Sequence, residues 1–102
     1  NKCYKDGNYR EAIEYYTKAI DLCPTNAAYY GNRAAAYLMI NKYKETIDDS
    51  KMSTRLDENF VKGYLREGKA YLFLGDYQSA LRCFEKVKKI EPHNNSVDVD
   101  VN

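Results

Sequence analysis

The sequence has no tryptophan, two prolines, five glycines and one histidine, and it has no long hydrophobic run. Its longest apolar stretches lie at 34–40 and 70–74, far short of the roughly 20 residues that a membrane-spanning helix needs. Its first residues do not show the basic and then apolar pattern of a signal peptide. We therefore expect a protein without a membrane segment or a secretory leader.

Cysteine is also scarce, and its placement excludes two kinds of site. Cys3, Cys23 and Cys83 are odd in number, widely spaced and form no Cys-x-x-Cys pair, and the one histidine is His93. A zinc site needs about four clustered ligands and a disulfide framework needs an even set of cysteines, so both are excluded. Reduced cysteines of this kind are typical of the cytoplasm. We expect a cytoplasmic protein with no metal and no cofactor.

Neither sign of charge is in excess. Sixteen Lys and Arg oppose 15 Asp and Glu, which gives a net charge of +1 and argues against a nucleic acid held by bulk charge. The sequence also lacks a nucleophile paired with a base and a glycine-rich phosphate loop, so we expect no enzymatic activity. Hydrophobic residues at 44% and charged residues at 30% are ordinary for a globular protein, and 102 residues allow one domain.

What the sequence does have is internal repetition with a period of about 34 residues. Tyr9, Tyr43 and Tyr77 coincide when the sequence is shifted by this period. Each copy contains two stretches with the periodicity of an amphipathic helix, separated by a short break. The predicted helices lie at 27–40 and 44–56 in the second copy, and at 61–74 and 78–90 in the third.

The breaks recur with residues that end helices. Residues able to adopt the left-handed conformation of a helix C-terminus recur at one break: Gly7, Asn41 and Gly75. The other break carries Pro24, Glu58 and Pro92 in the three copies. Proline lacks the N–H needed to continue a helix. Small residues recur where paired helices must approach closely: Ala12, Ala34, Thr46, Gly68 and Ala80. The pattern predicts antiparallel helix pairs.

Large and small residues alternate at fixed places in the two clearest copies. They are Tyr30, Ala34, Tyr37 and Tyr43 in the second copy, and Tyr64, Gly68, Tyr71, Gly75, Tyr77, Ala80, Phe84 and Pro92 in the third. This pattern resembles the tetratricopeptide repeat family. The resemblance implies an all-α fold, a right-handed superhelix of stacked antiparallel helix pairs whose first helices line a concave groove.

The same resemblance divides the chain into repeats. Residues 1–94 form a single domain with a partial repeat at 1–26 and full repeats at 27–60 and 61–94. Residues 95–102 are then a tail, either disordered or the start of a capping helix. We expect the domain to be a monomer.

Cations and amides fall at groove-facing positions of this pattern. Lys62 and Arg66 are four residues apart, so they share one face of a helix. Asn32 holds in the second copy the place that Arg66 holds in the third, and Asn1 falls where the first groove helix should run. Two cations and two amides in a concave site suit a carboxylate ligand. For an isolated Lys and Arg pair, the alternative is a solvated helix face.

Asn1, Asn32, Lys62 and Arg66 resemble the two-carboxylate clamp of tetratricopeptide co-chaperones, some of which also carry a J-domain. The resemblance implies binding to the C-terminal Glu-Glu-Val-Asp tail of the seventy- and ninety-kilodalton heat-shock chaperones. The family clamp has a fifth member, a Lys one helical turn before Asn1, and that place lies outside this chain. Side chains implied to contact the peptide are Tyr4, Ala35, Leu38, Met39, Lys69 and Phe73. Leu38 and Met39 fit a packing role equally well.

Two functional hypotheses follow from these residues. The first is a binding module for an extended acidic C-terminal peptide, held by the clamp. The second is a structural scaffold that holds a partner helix or a neighbouring domain through apolar groove residues such as Leu38, Met39 and Phe73. Binding by the module would depend on Lys62, whereas binding by the scaffold would not.

Overall fold

The computed structural model describes residues 6–91, and these residues form five helices. The helices are α1 (Asp6–Leu22), α2 (Ala27–Met39), α3 (Tyr43–Leu56), α4 (Val61–Leu74) and α5 (Tyr77–Ile90). The boundaries of α2 to α5 agree with the predicted ones to within one residue. The all-α prediction is therefore confirmed for this part of the chain.

The first helix differs from the pattern at one place. Within the described residues α1 runs over Asp6–Leu22 and so includes Gly7, whereas its counterparts α3 and α5 begin at Tyr43 and Tyr77, two residues after the predicted break. The break expected at Gly7 is not found. Glycine accepts helical as well as left-handed backbone angles, so its presence alone does not end a helix.

The breaks after α2 and α4 are built in the same way. Asn41 and Gly75 both have positive φ, at 66° and 83°, as predicted. The residue after each one donates its backbone N–H to a tyrosine carbonyl near the helix end, Lys42 to Tyr37 and Asp76 to Tyr71, both at 2.9 Å. This left-handed termination satisfies carbonyl groups that the end of a helix leaves unpaired, and it reverses the chain.

Side chains cap the starts of two helices. The Asn26 side chain accepts hydrogen bonds from the backbone N–H groups of Ala28 (2.9 Å) and Tyr29 (3.3 Å) at the start of α2. Asp76 accepts from the backbone N–H of Ser79 at 3.2 Å and from its hydroxyl at 2.8 Å at the start of α5. These caps satisfy N–H groups that the first turn of a helix cannot pair.

Each helix packs on the next, and α2 also contacts α4. Small side chains are buried in the packed helices: Ala34, Thr46, Ala70 and Ala80 are at most 1% exposed. Gly68 faces Phe84, and a Cβ there would lie 2.8 Å from the Phe84 ring, which confirms the expected close packing. The contact between α2 and α4 brings the first helices of successive pairs side by side.

A second close approach fixes the turn before α4 against α2. A Cβ added to Gly31 would collide with the ring of Phe60, the residue just before α4. The ring thus fills the space that any other residue at 31 would occupy. None of the helices described here is long and apolar enough to cross a membrane.

Candidate functional site

The predicted groove residues of the described chain lie on α2 and α4. On α4, Lys62, Arg66, Lys69 and Phe73 are spaced at four, three and four residues, so they form one stripe along the helix. Their counterparts one repeat earlier, on α2, are Ala28, Asn32, Ala35 and Met39. Because α2 contacts α4, the two stripes lie on adjacent helices. We call them together the α2–α4 surface.

The polar members of this surface are concentrated toward the helix starts. Lys62 is exposed in the first turn of α4, and Arg66 is half-buried one turn later. Asn32 is half-buried at the equivalent place of α2. Two cations and an amide therefore lie on the same pair of contacting helices. This set of hydrogen-bond donors suits carboxylate oxygens. Lys69, also half-buried, adds a third cation further along α4.

Apolar side chains continue the surface toward the helix ends. Met39 is 54% exposed and Phe73 is 65% exposed. The ring of Phe73 stacks on Tyr43, with 5.2 Å between ring centroids and 10° between ring planes. Ala35 and Leu38 are half-buried nearby on α2. The surface thus passes from a charged end to an exposed apolar end.

Two predicted contact residues cannot be placed on this surface. Asn1 and Tyr4 lie outside the described residues, as does the tail at 95–102. Their roles, like those of the residues on α2 and α4, stay predictions.

Next to Asn32 in α2, Arg33 makes a partly buried ionic contact that the sequence reasoning did not find. The Arg33 guanidinium donates to both carboxylate oxygens of Asp49, from Nε at 2.7 Å and from Nη2 at 2.8 Å. Its Nη1 donates to the Thr17 hydroxyl at 3.1 Å. Hydrogen bonding to Asp49 raises the pKa of Arg33 against the opposing effect of burial. One side chain of α2 therefore connects α1, α2 and α3.

The next repeat has a different buried polar group at the same place. Glu67, the counterpart of Arg33 one repeat later, is 9% exposed, and burial raises the pKa of its carboxyl group despite the nearby Lys51. Burial and then Glu67 raise the pKa of the adjacent Cys83 to about 12. A thiol with so high a pKa is protonated at neutral pH and is a poor nucleophile.

A concave region also lies away from the α2–α4 surface. A depression of about 710 Å³ lies between the turn before α4 and the end of α5, lined by Glu58, Asn59, Tyr64, Lys86, Lys89, Ile90 and Glu91. It mixes acidic and basic side chains around one tyrosine, so it selects for no charge. Within the part of the chain that the structure describes, no three His, Cys, Asp or Glu residues are grouped closely enough to hold a metal ion.

Two family models match the chain. The model described as TPR repeat matches residues 1–41, and the model described as tetratricopeptide repeat matches residues 61–94. Among curated proteins, the chain is 48% identical over 94 residues to DnaJ homolog subfamily C member 7 of Mus musculus. That match covers 92% of this chain but 19% of the relative, so the chain spans about a fifth of the relative's length.

Solved structures with the same architecture were determined with peptides bound. The first TPR domain of Spaghetti (RPAP3), bound to the HSP90 peptide SRMEEVD, is 34% identical with a TM-score of 0.88, over 98% of this chain and 79% of that one. The second TPR domain of human RPAP3, in complex with the HSP70 peptide SGPTIEEVD, is 40% identical with a TM-score of 0.86, over 91% of this chain and 78% of that one. Both peptides end in Glu-Glu-Val-Asp.

Proposed function

The chain belongs to the tetratricopeptide repeat family, and we propose that it is the module through which a co-chaperone binds the acidic C-terminal tail of a heat-shock chaperone. The observation that carries this proposal is the α2–α4 surface, on which Asn32, Lys62 and Arg66 lie at the charged end of two contacting helices. Domains of the same fold bind peptides that end in Glu-Glu-Val-Asp, which is the chemistry that this set of donors suits.

In this proposal the charged end of the surface holds the carboxylates of the last peptide residue. Lys62 and Arg66 neutralise the two negative charges, and the Asn32 amide donates a hydrogen bond that fixes their direction. Asn1 completes the set by resemblance to the family clamp. Such charge-assisted hydrogen bonds contribute about 1.5–3 kcal/mol each, and the cost of ordering an extended peptide offsets part of that, so we expect affinity on the order of micromolar.

The apolar end of the surface would contact the side chains of the peptide. Tyr4, Ala35 and Leu38 would border the valine. Met39 and Phe73, both more than half exposed, would contact residues further upstream in the tail, and Lys69 would add an attraction for its acidic side chains.

The same proposal covers the setting of the module. We assign residues 1–94 to one domain that acts as a monomer in the cytoplasm and has no catalytic role of its own. The partners are the C-terminal tails of the seventy- and ninety-kilodalton heat-shock chaperones.

The proposal is tested by titrating the protein with a peptide that ends in Glu-Glu-Val-Asp and with its C-terminally amidated twin, by isothermal titration calorimetry. Amidation removes one carboxylate and leaves the rest of the peptide unchanged, so the amidated peptide should bind far more weakly. Equal affinities for the two peptides would rule out the clamp.

Two variants serve as a matched pair in the same titration. Lys62→Ala removes a cation of the surface and should weaken binding about ten- to hundredfold. Lys44→Ala removes an exposed cation from α3 and should leave the affinity unchanged. Both variants should keep the wild-type helical circular dichroism, because both side chains are exposed.

A scaffold function is favoured by one specific observation, the exposure of Met39 and Phe73. In that case an apolar partner helix would replace the acidic peptide. Phe73→Ala would then abolish partner binding while Lys62→Ala would not, which is the reverse of the order expected for the clamp.

A further inference from the structure

Asn32 and Arg33 are adjacent in α2, and their side chains have different surroundings. Successive residues of a helix are rotated by about 100°, so fixing the direction of one side chain fixes the direction of the next. Asn32 belongs to the α2–α4 surface, whereas Arg33 binds Asp49 of α3 and Thr17 of α1. The Arg33 contact thus acts on the rotation of the helix that carries Asn32.

The Arg33 contact is directional in three ways. The two bonds to Asp49, at 2.7 and 2.8 Å, form a planar fork that sets both the distance and the angle between α2 and α3. The third bond, at 3.1 Å to Thr17, sets α2 against α1. The guanidinium also lies over the rings of Tyr30 and Tyr37, 5.7 and 5.9 Å from their centroids, in cation–π contacts.

Among the other contacts of α2, the Phe60 ring packs against Gly31 and the Tyr29 ring lies near that of Tyr16. The buried residues of α2 besides Tyr30 are Gly31, Ala34 and Ala36. Small side chains of this kind allow close approach, but they present few features that oppose a small rotation or a slide along the helix axis. Through its hydrogen bonds to α1 and α3, Arg33 therefore adds a directional restraint on the rotation of α2.

The following repeat carries a buried charged group at the same place. Glu67 follows Arg66 as Arg33 follows Asn32, and its neighbours Lys51 and Cys83 are the counterparts, one repeat later, of Thr17 and Asp49. The charges differ between the repeats, but Asn32 and Arg66 are each followed by a charged residue that interacts with the helices on both sides, half-buried at Arg33 and buried at Glu67. This recurrence indicates that a charged residue at this position supports the α2–α4 surface, whichever partner it binds.

We propose that Arg33, held by Asp49 and Thr17, is a positioning residue that aims Asn32 at the peptide carboxylate. The proposal rests on the proposed function of the α2–α4 surface. Arg33 does not touch the peptide in this account. It acts through the rotation of α2, and hence through the distance between Asn32 and the cations of α4.

The test uses two neighbouring aspartates of α3. Asp49→Asn keeps the shape of the side chain but removes its charge and one acceptor of the fork. Asp48→Asn makes the same chemical change at an exposed residue and is the control. For Asp49→Asn we expect the dissociation constant for a Glu-Glu-Val-Asp peptide to rise roughly threefold to thirtyfold, the range of couplings carried through packed residues. For Asp48→Asn we expect no change.

Two further readouts separate positioning from a loss of folding. The titrations are made in the cold, where circular dichroism must show that each variant is fully helical. The salt dependence of binding should be the same for Asp49→Asn and wild type, because the cations that meet the peptide are unchanged. Combining Arg33→Asp with Asp49→Arg, which restores an ion pair in the opposite sense, should recover part of the affinity.

A measurement without peptide keeps this inference separate from the proposed function. The NMR signals of the Asn32 side-chain amide should move in Asp49→Asn and stay in place in Asp48→Asn. Unmoved signals together with wild-type peptide affinity in Asp49→Asn would overturn the positioning role. If wild type binds no peptide but the Asn32 signals still move in Asp49→Asn, the proposed function fails. The effect of Arg33 on the orientation of Asn32 then stands.

Discussion

Folding buries the carboxyl group of Glu67, which lies at the centre of α4. Burial is the largest influence on it and raises its pKa, against the lowering effects of Lys51, Cys83, Lys86 and Tyr71. The folded protein therefore binds this proton more tightly than the unfolded chain. By linkage, the contribution of Glu67 to stability is fully present below its unfolded pKa and is lost as the pH rises through its folded pKa.

Glu67→Gln should remove this pH dependence. We expect wild type to lose more free energy of unfolding than the variant as the pH rises from just below the ordinary pKa of a glutamate to neutrality, because the glutamine carries no proton to lose. Urea denaturation at the two ends of this range measures the difference. Glu85→Gln, at an exposed residue of α5, is the control and should follow wild type. Equal pH dependence of the free energy of unfolding in all three proteins would show that burial does not raise the pKa of Glu67.

At the scale of residues, the sequence indicates which side chains share a helix face but not which contacts between helices lie beside them. Lys62 and Arg66 follow from helical spacing, and Asn32 follows from the repeat. The bond from Arg33 to Asp49 joins two helices across a turn, and it depends on how each helix is rotated. The only signal in the sequence is a charged residue beside a predicted surface residue, which by itself more often marks a solvated face.

The ends of α2 and α4 are equivalent elements built from different residues. Both pass through a left-handed residue, Asn41 at φ 66° and Gly75 at φ 83°. An L side chain in this conformation costs roughly 1–2 kcal/mol, less for asparagine, and glycine avoids the cost. The Asn41 side chain offsets part of it by accepting a hydrogen bond from the Tyr43 hydroxyl at 2.9 Å.

Substitutions at the two breaks should therefore change the free energy of unfolding in opposite directions. Gly75→Ala is expected to lower the free energy of unfolding by about 1–2 kcal/mol, since alanine must adopt the left-handed conformation. Asn41→Gly should raise the free energy of unfolding by about 0.5 kcal/mol, because it removes the residual cost. Urea denaturation of the two variants and wild type measures both changes. A loss of stability in Asn41→Gly would show that the bond to Tyr43 outweighs the backbone cost.

Elements were predictable where the repeat and the local chemistry agree. The limits of α2 to α5 follow from left-handed residues, from turns and from apolar periodicity, all of which are local. The helical conformation at Gly7 was not predictable in this way, because glycine is compatible with a helix and with a break. The contact of Phe60 with Gly31 was also missed, since it joins a turn to a helix that is distant in the sequence.

Charge is distributed unevenly over the whole molecule despite the net charge of +1. Three exposed positions of α5 carry Arg82, Lys86 and Lys89. The equivalent exposed positions of α1 carry Glu14, Lys18 and Asp21. Lys62, Arg66 and Lys69 add positive charge on α4, so the hairpin of α4 and α5 is the basic end of the part of the chain that the structure describes. Under the proposed function, an acidic peptide would be attracted to this end before it makes any contact.

This asymmetry should be visible in the kinetics of peptide binding. Replacing Arg82, Lys86 and Lys89 with serine should slow association of a Glu-Glu-Val-Asp peptide at low salt and leave dissociation nearly unchanged, because these residues lie outside the α2–α4 surface. Raising the ionic strength toward about 0.15 M, where the screening length is about 8 Å, should reduce the difference between variant and wild type. Stopped-flow fluorescence with a labelled peptide measures both rates. A change confined to dissociation would place these residues in direct contact with the peptide.

The ring of Phe60 in the place of a side chain at position 31 has a consequence for how this sequence can vary. Neither residue can change alone in size: a larger residue at 31 has room only if the residue at 60 becomes smaller, and a smaller residue at 60 leaves a cavity unless 31 grows. Position 31 immediately precedes Asn32, and position 60 immediately precedes α4. Among relatives of this chain, the sizes of the residues at positions 31 and 60 should therefore covary.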